Sequence, residues 1–353
     1  MKITGFEFKT VSIPFRRRIR EHWGWDYPTT LVWVHTDEGI TGLGESNSLT
    51  SNIGTRADDL ARRYVGKSIW DLNLADEPFD LQCAFYDIAS QALGVPIHRL
   101  LGGKVRDKVE LAFWSPPMPP EEMARESVEG RELGFRTHKI KGHRPHDVVP
   151  ICRLINDALG AEMQIRVDPN TALRDYPNAV RIARQCEGFN IEVWEDPFLF
   201  ADMSQYRQFR QKVTAPVARH SGSERDMFLW LKGEAIDCFN AGGNAGRMHV
   251  LDSLAQAAGV PIWGQMFAFG SCVGTMFAVQ IASTLKACTM ALDELPHIRE
   301  NDLSGGSFRT ENGCVTVPDT PGLGVTLDMA AVKKYEKPAG YIGTIKQKPP
   351  GWS

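Results

Sequence analysis

Along the first fifty positions, apolar and β-branched side chains alternate with polar ones. "ITGFEFKTVSI" (3–13) and "TTLVWVHTDEGITGLGES" (29–46) read as strands, the second broken by a D-E-G-I turn. Between them "PFRRRIREHWGWDYP" (14–28) is polar, aromatic and bracketed by prolines, and reads as a long loop available for function. From 56 to 101 the apolar spacing becomes helical. "DLQCAFYDIASQALG" carries an apolar face and is stopped by Gly94 and Pro96. Strands followed by helices predict a separate α+β domain over residues 1–110.

Beyond it the pattern becomes periodic. β-type runs end near 114, 141, 168, 195, 220, 240, 265 and 294, at intervals of 20 to 29 residues. Helix-like stretches such as "PEEMARESVEGRELG" and "NAVRIARQCEG" separate them. One strand, one helix and two short loops account for such a period, and eight repeats predict an α/β chain with a TIM-type (β/α) barrel over 111–315. The helical signal after the eighth run is weak, and 316–353 reads as leaving the barrel.

In such a barrel, chemistry gathers at the C-terminal strand ends. There the periodicity places Lys141, Asp168, Glu195, His220, Asn240, Gln265 and Glu294. Asp168 and Glu195 end adjacent strands, where like charges repel unless a cation lies between them, and oxygen ligands favour Mg²⁺. Lys139 and Lys141 share one side of their strand and aim at the same mouth; a cation beside a cation has a lowered pKa and can serve as a base. A base, a metal and an enclosed mouth point to proton abstraction next to a carboxylate.

Composition narrows the partners. A net charge of -3 gives no electrostatic reason to expect nucleic acid or an anionic membrane, and the basic cluster at 16–20 reads as a solvated loop. No run is apolar enough to span a bilayer, and no signal peptide is recognised. Seven scattered cysteines without a CxxC fit reduced thiols, so a cytoplasmic location is expected.

Taken in order, "AFYDIASQALGVPIHRLLGG" (84–103), "GFRTHKIK", "RVDPN", "WEDP" and "VPDTPGLGV" (317–325) resemble the enolase superfamily, in its mandelate racemase and muconate lactonizing enzyme branch. The resemblance implies a modified (β/α)7β barrel under an N-terminal α+β capping domain, with "VPDTPGLGV" as the return to the cap. It implies an essential divalent ion, usually Mg²⁺, and α-proton abstraction from a carboxylate. It makes Lys141 the general base, with Lys139 between base and substrate carboxylate. Asp168 and Glu195 become metal ligands, Asn170 a substrate contact and Asp196 structural. Glu294 is expected to hydrogen-bond the substrate carboxylate, with Asp293 as the other choice. The cap loops near 16–28 and 47–56 would set specificity, through Arg16, Arg20, His22, Trp23 and Trp25. A homo-oligomer, dimer or octamer, is implied too.

Departures from that branch are specific. The fifth strand ends in His220 and Ser221 instead of a carboxylate, the sixth offers Asn240, and the seventh has Gln265 where a histidine is common. Imidazole suits Mn²⁺, Zn²⁺ or another softer divalent ion better than Mg²⁺. Three readings of His220 stay open: a ligand to such an ion; a substrate contact or general acid beside a Mg²⁺ held by Asp168, Glu195 and waters, Glu224 being the alternative third ligand; or a site that has lost its metal. With Asn240 and Gln265 as substrate contacts, no proton carrier is evident on the second face. That favours one-base dehydration of a sugar acid or related hydroxy acid over racemisation or cycloisomerisation. A catalytically degenerate relative with a binding or structural role is the alternative. His138 and His143 read as packing or surface residues.

Overall fold

The computed structural model describes residues 1–24, 26–47, 53–199, 203–220 and 223–343. Trp25, Ser221 and residues 48–52 of the 47–56 loop lie outside the described residues.

Near the N-terminus β1 (Ile3–Val11), β2 (Thr29–Thr36) and β3 (Thr41–Ser46) form an antiparallel sheet in sequence order. The alternation predicted for 3–46 is thus realised, with Val32 and Val34 buried on one face against Ile3, Phe85 and Ile88. Helix α3 (Phe79–Leu93) packs on this sheet because β3 presents glycine. A Cβ on Gly42 would sit 2.1 Å from the Ala84 carbonyl oxygen, and one on Gly44 2.7 Å from that of Asp80. Gly94, at φ 66, ends α3 in the left-handed region.

The stretch predicted as a loop at 14–28 contains a helix, α1 (Arg17–His22). Only Ile19 in it is buried, so no apolar period announces it. The single run expected at 108–114 splits in two. β4 (Lys108–Glu110) pairs antiparallel with β12 (Cys314–Thr316), whereas β5 (Phe113–Ser115) begins a seven-stranded parallel sheet.

That sheet continues through β6 (Thr137–Lys141), β7 (Gln164–Asp168), β8 (Ile191–Glu195), β9 (Val217–His220), β10 (Cys238–Ala241) and β11 (Ile262–Gly264), in order. Such short runs, buried on both faces, are what parallel strands under helices require. Helices connect them, among them α5 (Pro120–Glu132), α6 (Pro145–Leu159) and α11 (Cys272–Thr284). The eighth run is irregular rather than a full strand, yet it touches both edges of the curled sheet. Ala112 N–H donates to the Leu292 carbonyl at 2.8 Å on one side, and Asp293 N–H to that of Gly264 at 2.9 Å on the other.

Two contacts tie the first sheet to the second. Glu45, fully buried on β3, accepts Ser271 N–H at 2.8 Å and Gly274 N–H at 2.9 Å at the N-terminus of α11. The segment after β12 returns to α3, where Leu323 N–H donates to Asp87 and Gly322 N–H to Ser90 Oγ.

Candidate active site

Parallel register sets the strand ends side by side. Lys141 lies opposite Asp168, and Asn240 opposite His220. The side chains of Lys139, Lys141, Asp168, Glu195 and Asn240 therefore meet at one end of the curled sheet.

Lys139 is buried at their centre. Its ammonium lies 2.7 Å from Glu195, 2.7 Å from Asp293 and 3.3 Å from Asp168. Burial alone would lower its pKa, but Asp293, Glu195 and Asp168 outweigh that and raise it. Three carboxylates, rather than the neighbouring Lys141 cation, set the surroundings of Lys139. Lys141, two residues on, is nearer the opening, at 14% exposure. It donates to Asp168 Oδ2 and, at 2.8 Å, to Asn170 Oδ1.

Asp168 is held below the usual carboxylate range, because the lysine charges, led by Lys141, outweigh its burial. Glu195 is pushed up to about 7, by burial first and then by Asp168. Asn240 donates to Glu195 Oε1 at 2.7 Å and to Gln265 Oε1 at 2.9 Å, so both predicted amides belong to the site's own network.

At the eighth run the two acids have different partners. The Glu294 carboxylate accepts the backbone N–H groups of Met266, Phe267 and Ala268 and shapes the loop after β11. Burial pushes its pKa up to about 8. Asp293 takes the inward place, accepting from Lys139 and Trp263 at Oδ2 and from Arg166 at Oδ1. Arg166 and Trp263 were missed in the sequence, although each lies two residues before a predicted strand-end residue. The buried Arg166 guanidinium stacks on Trp263, 4.2 Å from the ring centroid.

His220, the last residue of β9, lies at the rim. Its backbone N–H donates to Asp196, and its Nε2 lies 3.9 Å from where a Cβ on Gly242 would stand, so the ring leans over the end of β10. Burial of the ring and the Lys139 charge lower its pKa. Among the described residues no group of three or more His, Cys, Asp and Glu side chains is arranged to hold a metal ion as they stand. Glu224 pairs instead with Arg247.

The predicted cap contacts are engaged elsewhere. Arg16 pairs with Glu126 and Glu129 of α5, and His22 Nε2 lies 2.6 Å from Glu122. Trp23 is buried edge-on against Trp114. Arg20 pairs with Glu300. His143, expected as packing or surface, is buried with Nε2 2.8 Å from Asn170 Oδ1.

Comparison with known proteins gives the family. Residues 122–331 match the family described as Enolase C-terminal domain-like, and the chain belongs to that family. It is 27% identical over 326 residues to the L-Ala-D/L-Glu epimerase of Clostridium acetobutylicum, covering 84% of this chain and 90% of that one. To the D-xylonate dehydratase of Haloferax volcanii it is 25% identical over 364 residues, covering 88% and 86%. In fold it is similar to the muconate lactonizing enzyme of Pseudomonas fluorescens complexed with muconolactone, with a TM-score of 0.81 at 21% identity over 95% of this chain and 99% of that one.

Members of this family typically use Mg²⁺, and the oxygen chemistry here fits such an ion. Asn240 Oδ1 is buried without a hydrogen-bond donor among the described residues, and Glu195 Oε2 meets the Lys139 ammonium at 2.7 Å. A buried oxygen left without a donor next to carboxylates suits a hard cation.

Proposed function

We propose that the chain abstracts the α-proton of a carboxylate substrate with Lys141 as base, in a modified (β/α)7β barrel of residues 111–315 under a cap of residues 1–110, the segment 316–353 returning to the cap. One observation carries this reading. Lys141 alone of the two lysines reaches the opening, while Lys139 is kept as an ammonium by three carboxylates. As a neutral amine, Lys141 would give its two N–H groups to Asp168 and Asn170 and keep its lone pair for the substrate.

Asp168 and Glu195 would hold the divalent ion, with Asn240 Oδ1 the remaining oxygen nearby; Mg²⁺ tolerates so few protein ligands because it keeps waters. When bound, the ion supplies electrostatic stabilisation of negative charge on the substrate carboxylate. Lys141 takes the α-proton, and the electron pair moves into the carboxyl group. In a hydroxy acid the same lysine then returns that proton to the β-hydroxyl, which leaves as water from the same face. Dehydration of a sugar acid or related hydroxy acid is the preferred reaction, and the Haloferax relative supports it.

A second reading has its own observation. His220 leans over the end of β10, where a proton carrier for the opposite face of the substrate carbon would stand. Its lowered pKa suits a base, and the Clostridium relative is an epimerase. Epimerisation would use Lys141 and His220 on opposite faces.

The test is a panel of hydroxy acids, acid sugars and dipeptides in D₂O with Mg²⁺, followed by mass spectrometry. Deuterium enters next to the carboxylate with the wild type, and Lys141→Ala lowers the rate by about 10³-fold. Uptake unaltered in that variant removes the base assignment. No uptake with any acid leaves a non-catalytic relative.

A further inference from the structure

The strand parity that aims Lys139 and Lys141 at the mouth continues past the end of β6 to His143. Gly142 N–H donates to the Asp168 carbonyl at 3.0 Å, so the ladder with β7 persists one residue beyond Lys141. A Cβ on Gly142 would lie 3.1 Å from Val148 and 3.5 Å from Pro169, so the two chains run close together there. His143 is thereby brought beside Asn170, which holds φ 46 in the left-handed region that asparagine tolerates.

Asn170 Oδ1 accepts two hydrogen bonds, from Lys141 Nζ and from His143 Nε2, each 2.8 Å long. An amide oxygen cannot donate, so His143 carries a proton on Nε2. Burial lowers the pKa of His143, which leaves the ring neutral and adds no second charge beside Lys141. Were the Asn170 amide to flip, its NH₂ would face the donor on His143 and, on the ammonium, three donors and no acceptor.

We infer that His143 is a positioning residue for Lys141: its hydrogen bond locks the Asn170 amide with the oxygen turned to the lysine, and that oxygen together with Asp168 holds Nζ at the mouth. The inference rests on the reading of Lys141 as the base. In His143→Leu the amide is held by one donor instead of two, and Lys141 keeps Asp168 as its one dependable acceptor. In His143→Gln a side-chain NH₂ restores the donor.

Two measurements test this on the full-length protein with Mg²⁺ present. The first uses acetic anhydride at fixed pH and reads Lys141 acetylation by peptide mass spectrometry, with buried Lys139 as internal reference. Lys141 acetylates several-fold faster in His143→Leu, while His143→Gln stays near the wild type. Asn170→Gly, which accepts the positive φ, removes the same oxygen and shows the same rise, so the claim does not hang on one variant's folding. Equal Lys141 labelling in the wild type and His143→Leu overturns the inference, as does a glutamine variant that behaves like the leucine one. The second measurement uses any acid that exchanges with the wild type. There His143→Leu lowers kcat by about tenfold or more at nearly unaltered KM, and His143→Gln recovers it. A raised KM with kcat intact overturns the positioning role. Absence of exchange from every acid overturns the proton-abstraction reading instead, and the acetylation rates still decide whether His143 orders Lys141.

Discussion

His138 and Lys139 are neighbours on β6 with opposite fates. Lys139 faces three carboxylates, whereas His138 points the other way and hydrogen-bonds Ser127 at 2.6 Å and Ser115 at 2.9 Å. Burial holds His138 at about 3, helped by Arg16, and His297 nearby is also held low. The folded chain therefore refuses protons that the unfolded chain accepts below about 6.5. Stability from His138 is present above that pH and is lost as pH falls towards 3, amounting to about 2 kcal/mol between pH 7 and pH 5. His138→Gln should shrink the difference between the unfolding free energies from urea titrations at these two pH values by that amount; an unaltered difference would show that His138 titrates normally. At this scale alternation was legible: the inward parity of Lys139 and Lys141 and the outward parity of His138 follow from the period of two. His143 follows the same rule one step beyond the strand, where the ladder's persistence cannot be read from residue types. Asp293 meets Lys139 and Glu294 meets the loop after β11 because the eighth run is irregular and its course is set by hydrogen bonds to both neighbours.

Helix α1 shows what an element owes to its partner. Six residues are too few to hold a helix alone, and its residues carry a single buried apolar side chain. Charge docks it instead. Glu126 of α5 is fully buried and lies 3.1 Å from Arg16 and 2.6 Å from Arg18, while Glu129 receives the same two guanidinium groups. The basic cluster that reads as a solvated loop is thus a set of tethers. Glu126→Gln halves the charge pairing and leaves two arginines over a buried amide, which should cost about 3 kcal/mol. Limited trypsin digestion would then cut within 16–20 well before the rest of the chain; the same cleavage rate as in the wild type would show that apolar contacts hold α1. Arg16 is held by the same tethers and His22 by Glu122 of α5, both within the loop that the sequence marks for specificity.

Across the whole molecule, carboxylates and cations nearly balance at the mouth. Asp168, Glu195 and Asp293 face Lys139, Lys141 and Arg166. Asn240 Oδ1, buried beside Glu195 without a donor among the described residues, still favours an added cation. Mg²⁺ at a hundredfold excess over its Kd should stabilise the fold by about 2.7 kcal/mol, visible as a rise of a few degrees in Tm, and Asp168→Asn should abolish that rise. A wild type whose Tm ignores Mg²⁺ and Mn²⁺ alike would mean that Lys139 satisfies these carboxylates unaided. By itself the sequence determined the period of strand and helix, the antiparallel start, and the convergence of Lys139, Lys141, Asp168 and Glu195, because alternation along a strand and chemistry at strand ends are local rules. Only the tertiary structure decided which charge each carboxylate meets, that Asp293 rather than Glu294 contacts Lys139, and that Arg16 and His22 are bound to α5. Those outcomes depend on distances between segments far apart in the chain, and such distances exist only once the sheet has curled and the helices have packed around it.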